Sequence, residues 1–148
     1  MIEIGFLRPE DRGEWERLAR GYKEFYATET TDEEYEATWR RLLAGTEVYG
    51  LGARTPDGRL VGITHYLFHA HCWMADSCYL QDLFVAESAR GQGVARALIE
   101  AVAARARDRG APRLYWTTQD HNSTARALYD KVAAFNGFLR YDYPLGDA

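Results

Sequence analysis

A mixed α/β sheet in one domain, residues 1–148, is the architecture expected of this chain, and three features carry that expectation. Segments with strand and helix periodicity follow one another in the order β, α, α, β, β, β, α, β, α, β, with no long linker, repeat or low-complexity stretch. The three central strand segments form an antiparallel hairpin or meander, the first two joined by a turn signal. With 148 residues, 47% of them hydrophobic and 14% aromatic, the chain can bury a full core without disulfides or metals.

Ile2–Leu7 reads as a short strand, and Pro9, Glu10 and Asp11 are helix-start residues. Trp15, Leu18, Ala19, Tyr22 and Tyr26 then recur at helical spacing and make one apolar face. A second helix is expected over Asp32–Leu43. Strands follow at Glu47–Arg54, Leu60–Phe68 and Cys78–Val85, the first two separated by Thr55-Pro56-Asp57-Gly58. From Gly91 the pattern turns helical, with Val94, Ala97, Leu98, Ala101 and Val102 on one stripe, and Gly110 with Pro112 stops it. A strand over Arg113–Thr118 leads to Asn122, an N-cap for a helix with Ala125, Leu128, Tyr129 and Val132 facing inward. Asn136-Gly137 turns the chain into a last strand, Phe138–Tyr143.

No run of about 18 apolar residues is present, so no membrane span is expected. The opening residues, 1–15, lack a basic region followed by an apolar stretch and a cleavage site, so a cytoplasmic protein is expected, with Cys72 and Cys78 as reduced thiols. A net charge of −4 disfavours a nucleic-acid partner, which needs clustered Lys and Arg. Arg105, Arg107 and Arg109 fit a solvated helix face. His65, His69, His71 and Cys72 include residue types that bind zinc, but His65 and His69 stand roughly 13 Å apart along a regular strand, so no metal is expected.

The segment richest in chemistry is Tyr79-Leu80-Gln81-Asp82-Leu83-Phe84-Val85, an acidic loop, and then Arg90-Gly91-Gln92-Gly93-Val94-Ala95-Arg96. A strand here runs into a glycine-bearing turn that opens a helix. First-turn N–H groups of such a helix lack internal partners and lie at the positive end of its dipole, which makes an anion site. A dinucleotide fingerprint needs a small residue where Arg96 stands, and a P-loop needs Gly-Lys-Ser/Thr; neither fits. The remaining pattern, Arg90, Gly93 and Ala95 as R-x-x-G-x-A, resembles the acetyl-coenzyme A pyrophosphate loop of the GNAT superfamily of N-acetyltransferases.

The resemblance extends over the whole chain: Ile4–Arg8 with Asp11, YLQDLFV, RGQGVA, and DHNSTARALYDKV followed by NGF. CYLQDLFV and TARALYDKVA look most like the histone and polyamine acetyltransferase-like subgroup. It implies a GNAT fold, a mostly antiparallel sheet flanked by helices and splayed where the cofactor enters, and acetyl-coenzyme A as co-substrate. Backbone groups of Leu83, Phe84 and Val85 would pair with the pantetheine arm. Residues Arg90, Gly91, Gln92, Gly93, Val94 and Ala95 would hold the pyrophosphate, and Asn122 and Ala125 would meet the pantetheine end. Tyr129 would be the general acid for the departing thiolate. An ordinary Tyr, with a pKa near about 10, is in the acid form at neutral pH, as that role requires; the same residue also fits a buried aromatic whose OH finds a partner. The subgroup further suggests a homodimer, with the last strand available to pair across it.

The acceptor must lose a proton before it attacks. An alkylamine is neutral only about once in 2,500 molecules at pH 7, roughly 4.6 kcal/mol of missing nucleophile. Related polyamine enzymes often carry a carboxylate where Gln81 stands, and Gln cannot take that proton. Strand alternation sets Gln81 on the cleft side and turns Asp82 away. His65 is then a candidate base acting through water, or a hydrogen-bonded structural histidine. Glu24–Glu36 contains acids and aromatics but no Lys or Arg, which suits a cationic amine, with Glu29 and Tyr26 as substrate contacts beside Gln81. Asp32, Glu33 and Glu34 fit equally well as first-turn acids favoured by the helix dipole. The expected reaction is acetyl transfer to a small primary amine, a polyamine or an amino-acid-like molecule. A protein lysine or N-terminal acetyltransferase, and a non-catalytic acyl-coenzyme A sensor, remain as other readings.

Overall fold

The computed structural model describes residues 1–146, so the last two residues of the expected domain lie outside it. The chain divides into two compact units, the first Met1–Thr117 and the second starting at Thr118.

In the first unit, β1 (Glu3–Phe6), β2 (Val48–Arg54), β3 (Leu60–His69), β4 (Ser77–Val85) and β5 (Leu114–Tyr115) form one sheet in the order β1-β2-β3-β4-β5. The first four strands run antiparallel, and β4 pairs with β5 in parallel. Helices α1 (Arg12–Phe25) and α2 (Asp32–Ala44) lie between β1 and β2 in sequence, and α3 (Val94–Asp108) lies between β4 and β5.

Helices cover both faces of the sheet. On one face Trp15, Leu18, Tyr35, Trp39 and Leu42 pack with Leu7, Leu60 and Ile63. Strand alternation turns Gly62, the neighbour of Ile63, to the other face, where a Cβ on it would lie 3.0 Å from Val94 and 3.1 Å from Leu98 of α3. One buried ion pair ties the start of α1 to β2: Arg54 Nη1 donates to Asp11 Oδ1 at 2.6 Å, and Arg8 N donates to Asp11 Oδ2 at 2.7 Å. Burial alone would raise the Asp11 carboxyl, but these bonds outweigh it and hold the group below its ordinary value.

Two expectations change. The strand expected over Arg113–Thr118 shortens to Leu114–Tyr115, and the helix expected from Gly91 starts at Val94, leaving residues 91–93 as a loop. Arg105 and Arg109 do more than form a solvated face: their guanidinium groups lie 4.4 Å over Phe6 and 4.2 Å over Phe68. Cys78 is buried and Cys72 exposed, both free, and burial pushes the Cys78 thiol up to about 11. Among the described residues no helix is long and apolar enough to cross a membrane, and no group of His, Cys, Asp or Glu could hold a metal ion.

The second unit contains α4 (Ser123–Val132), which starts where expected: Asn122 caps it, its Oδ1 accepting from Ala125 N at 3.4 Å. The expected last strand, Phe138–Tyr143, is not a strand. Those residues have no ladder partner among the described residues, and Phe138, Leu139, Tyr141 and Tyr143 are exposed. The alternation of that segment is real, but a strand exists only when another edge supplies hydrogen bonds.

Candidate active site

Strand β4 departs from regular pairing at one residue. His65 stands opposite Asp82 while the next residue, Tyr66, stands opposite Leu80, so Gln81 is an extra residue in β4, a bulge. Beyond the bulge the alternation reverses. Leu80 shares a face with Tyr66, whereas Asp82 shares the α1 side with His65, and both Gln81 and Asp82 line the cleft there. The expectation that Asp82 turns away from the cleft is therefore corrected, because simple period-two counting skips the extra residue.

Asp82 is the centre of a bonded group. Trp15 Nε1 donates to His65 Nε2 at 3.0 Å, so that nitrogen is the acceptor and the ring proton sits on Nδ1, which lies 2.9 Å from Asp82 Oδ2. Tyr22 and the positive Lys23 lie close enough to Asp82 to act on its carboxyl. Burial pushes the Asp82 carboxyl up, but the His65 bond, Tyr22 and these charges outweigh it, and it stays below its ordinary value of 3.8. It is thus a carboxylate at neutral pH. Burial and Asp82 together drive Tyr22 upward, and burial and Asp82 also raise Tyr26, so both phenols stay protonated.

The cleft holds about 190 Å³, and its lining includes Trp15, Tyr22, Tyr35, Gln81, Asp82 and Phe84. Gly21 lets α1 approach β4 closely here, since a Cβ on it would lie 2.8 Å from the Phe84 ring. Of the residues expected at the acceptor, Gln81 and His65 line the cleft and Tyr26 lies within electrostatic reach of Asp82; Glu29 is exposed and does not line it. The acids of the α1–α2 turn are partly committed elsewhere. Arg20 Nη2 donates to Asp32 Oδ1 at 2.7 Å, and Glu34 closes a capping box with Thr31.

The other half of the first unit's chemistry is made of backbone. Strand β4 pairs with β5 only through Cys78–Leu114 and Tyr79–Tyr115, so from Leu80 to Val85 that edge has no strand partner among the described residues. Leu83, Phe84 and Val85 lie on this open stretch, where an extended amide chain can add as a strand does. The chain then passes through a short 3₁₀ turn, Glu87–Ala89, to Arg90, whose Nε donates to Val85 O at 3.2 Å. Gly91 and Gly93 follow with φ of 77° and 79°, the left-handed region that favours glycine. Gly93 is the N-cap of α3 and has no side chain to cap it, so the N–H groups of Val94 and Ala95 at the helix start lack a capping acceptor. A Cβ on Gly91 or Gly93 would meet no protein atom within 4 Å. Open space bordered by backbone donors leaves room for an anion such as a pyrophosphate to approach. In the second unit Asn122, Ala125 and Tyr129 share one face of α4 at three- and four-residue spacing, and Tyr129 is half-buried.

Tyr22 and Asp82 are the site residues that sequence reasoning missed. The signal available was the pair Gln81-Asp82, two adjacent polar residues inside an otherwise apolar strand, which is what a bulge at a site looks like in sequence.

Comparison with known proteins agrees with this geometry. Residues 14–135 match the acetyltransferase (GNAT) family. The D-amino-acid N-acetyltransferase HPA3 of Saccharomyces cerevisiae is 37% identical over 135 residues, covering 89% of this chain and 84% of that protein. The thialysine N-epsilon-acetyltransferase of Caenorhabditis elegans is 35% identical over 75 residues, 51% of this chain and 47% of that protein. Among solved structures, the ribosomal-protein-alanine N-acetyltransferase from Brucella melitensis biovar Abortus 2308 aligns with a TM-score of 0.81 at 24% identity, covering 98% of this chain and 99% of that one. AAC(6')-Iy, solved with a bisubstrate analogue of coenzyme A, aligns with a TM-score of 0.86 at 18% identity over 99% of both chains. At these identities the two structures speak for the fold. The open β4 edge, the glycine loop and the family match converge on one statement: the chain belongs to the acetyltransferase (GNAT) family and is an acetyl-coenzyme A-dependent N-acetyltransferase.

Proposed function

We propose that residues 1–148 act as a single N-acetyltransferase domain that acetylates a small primary amine. The observation that carries this reading is Asp82, an ionised carboxylate held by His65 beside Tyr22 in a small aromatic cleft. A cleft of about 190 Å³ lies below the roughly 300–1,000 Å³ of drug-sized ligand sites, which favours a small acceptor over a peptide. The names of the relatives, which specify D-amino acids and thialysine, point the same way.

Acetyl-coenzyme A supplies the acetyl group as a thioester. The N–H groups at the start of α3 and the loop from Arg90 to Ala95 hold its pyrophosphate, the open edge of Leu83, Phe84 and Val85 pairs with the pantetheine amides, and Asn122 with Ala125 meets their far end. Asp82 and the Tyr22 and Tyr26 rings hold the acceptor ammonium, by charge and by cation–π contact. Gln81, beside Asp82 on the bulge, offers amide donors and acceptors to the same ligand.

The amine loses one proton to solvent before it attacks. As the C–N bond forms and the C–S bond breaks, Asp82 takes the second proton from nitrogen and then releases it to solvent. Tyr129 donates its phenolic proton to the departing sulfur and regains one from solvent, so protons balance with one released overall. His65 is a positioning residue here: both ring nitrogens are bonded within the protein, so it fixes Asp82 in place of accepting a proton through water. The reading includes a cytoplasmic location and a homodimer, the latter supported by the exposed apolar side chains of Phe138, Tyr141, Tyr143 and Leu145, which alternate with the charged Arg140 and Asp142.

A thiol-release assay with acetyl-coenzyme A and a panel of diamines, polyamines, amino acids, aminoglycosides and a lysine-rich peptide tests the proposal. Turnover on one small-amine class is expected. Turnover on the peptide alone, or coenzyme A binding with no turnover on any amine, overturns it.

A further inference from the structure

We propose that the cleft selects a zwitterion, a small amine that also carries a carboxylate, and that Arg41 binds the carboxylate; this rests on the reading of the cleft as the acceptor site. Four side chains of fixed charge line the cleft: Lys23 and Arg41 are positive, Glu34 and Asp82 negative. Two cations and two anions leave it formally neutral. A zwitterion keeps that balance, whereas a diamine would leave two uncompensated positive charges beside Lys23 and Arg41. Repulsion of that kind is how a site rejects a competitor that shares its amine.

The four charges are not equivalent. Glu34 Oε1 accepts from Thr31 N at 3.2 Å in the capping box of α2. Asp82 is bonded to His65, and Tyr22 and the Lys23 charge act on it. Arg41, on α2, lines the cleft and has no side-chain hydrogen bond or ion pair among the described residues. Val48, which lines the cleft with Arg41, belongs to β2, two strands from Asp82 on β4, roughly 10 Å across the sheet. A cation on α2 and a carboxylate on β4 lining one cleft suit a ligand several atoms long with opposite charges at its ends. Two parallel N–H···O bonds make Arg the side chain best suited to hold the anionic end.

Lysine and cadaverine differ only by the carboxylate and so isolate its effect. Wild-type protein should acetylate lysine with a kcat/KM about 10- to 100-fold above that for cadaverine, mostly through KM. Arg41→Gln should collapse that ratio toward one, and Arg41→Lys should restore part of it. A wild-type preference for cadaverine, or a ratio untouched by Arg41→Gln in a variant with native circular dichroism, overturns the inference while leaving acetyl transfer to amines standing. Turnover on neither compound nor on any other small amine would instead bring down the acceptor-site reading, and this inference with it.

Discussion

The glycine loop ahead of α3 and the cleft beneath α1 and α2 are built from different parts of the chain. The loop, residues 90–95, is contiguous and works through backbone N–H groups, with Gly91 and Gly93 in the left-handed region. The cleft is assembled from α1, α2, β2, β3 and β4, and its central carboxylate reaches it only because Gln81 inserts an extra residue into β4. A backbone site tolerates side-chain change except where a Cβ itself is excluded. A side-chain site depends on each partner and on the register that brings them together. The loop is accordingly suited to the part of the reaction shared with other acetyl-coenzyme A enzymes, and the cleft to the part specific to this acceptor.

The division can be broken by variants that cross it. Tyr129→Phe should lower turnover by about 10²–10⁴-fold while leaving coenzyme A affinity within a few-fold, the range for one general acid. Single-turnover kinetics together with calorimetric binding would read both quantities, and unchanged turnover would remove the residue from the mechanism. Gly93→Val should weaken coenzyme A binding about 10²–10³-fold, through left-handed strain and lost anion contacts, without changing the fold seen by circular dichroism. Normal binding by that folded variant would refute the loop assignment.

Acidity separates the two regions as well. Because only the neutral amine attacks, kcat/KM for the amine should rise about a hundredfold between pH 6 and pH 8. Asp82 adds no acid limb in that interval, since its carboxyl lies below 3.8 and stays ionised. Its contribution, like that of Asp11, is present above that value and is lost only as pH falls through the lower folded-state value. A flat profile from pH 6 to pH 8 would mean that the ammonium itself is taken up and that its first proton passes to a group in the cleft and not to solvent.

The same contrast explains what could be read in advance. Gly91, Gly93 and the N-cap Asn122 mark backbone conformations that few residues adopt, so their local signatures carried over intact. The apolar faces of α1 and α3 were equally legible from period. Asp82 was not, because a one-residue bulge reverses every later side chain, and its one local sign is the polar pair Gln81-Asp82. Tyr22 looked like another inward aromatic of α1, and its interaction with Asp82 joins residues 60 apart in sequence. The expected strand Phe138–Tyr143 failed for a related reason: its alternation says which faces it would offer, not whether an edge is present to pair with it. Lys23 and Arg41 flank the acid-rich segment Glu24–Glu36 and enter the cleft from the helices on either side.

The most direct test measures kcat/KM for the preferred amine and Kd for coenzyme A on the same preparation of Asp82→Asn. The amide keeps the size and an acceptor for His65 but removes the charge. The account predicts a fall of about 10²–10⁴-fold in kcat/KM, the range for one acid–base group, with coenzyme A binding unchanged. An unchanged kcat/KM would contradict it, because the acceptor would then be held somewhere other than at Asp82.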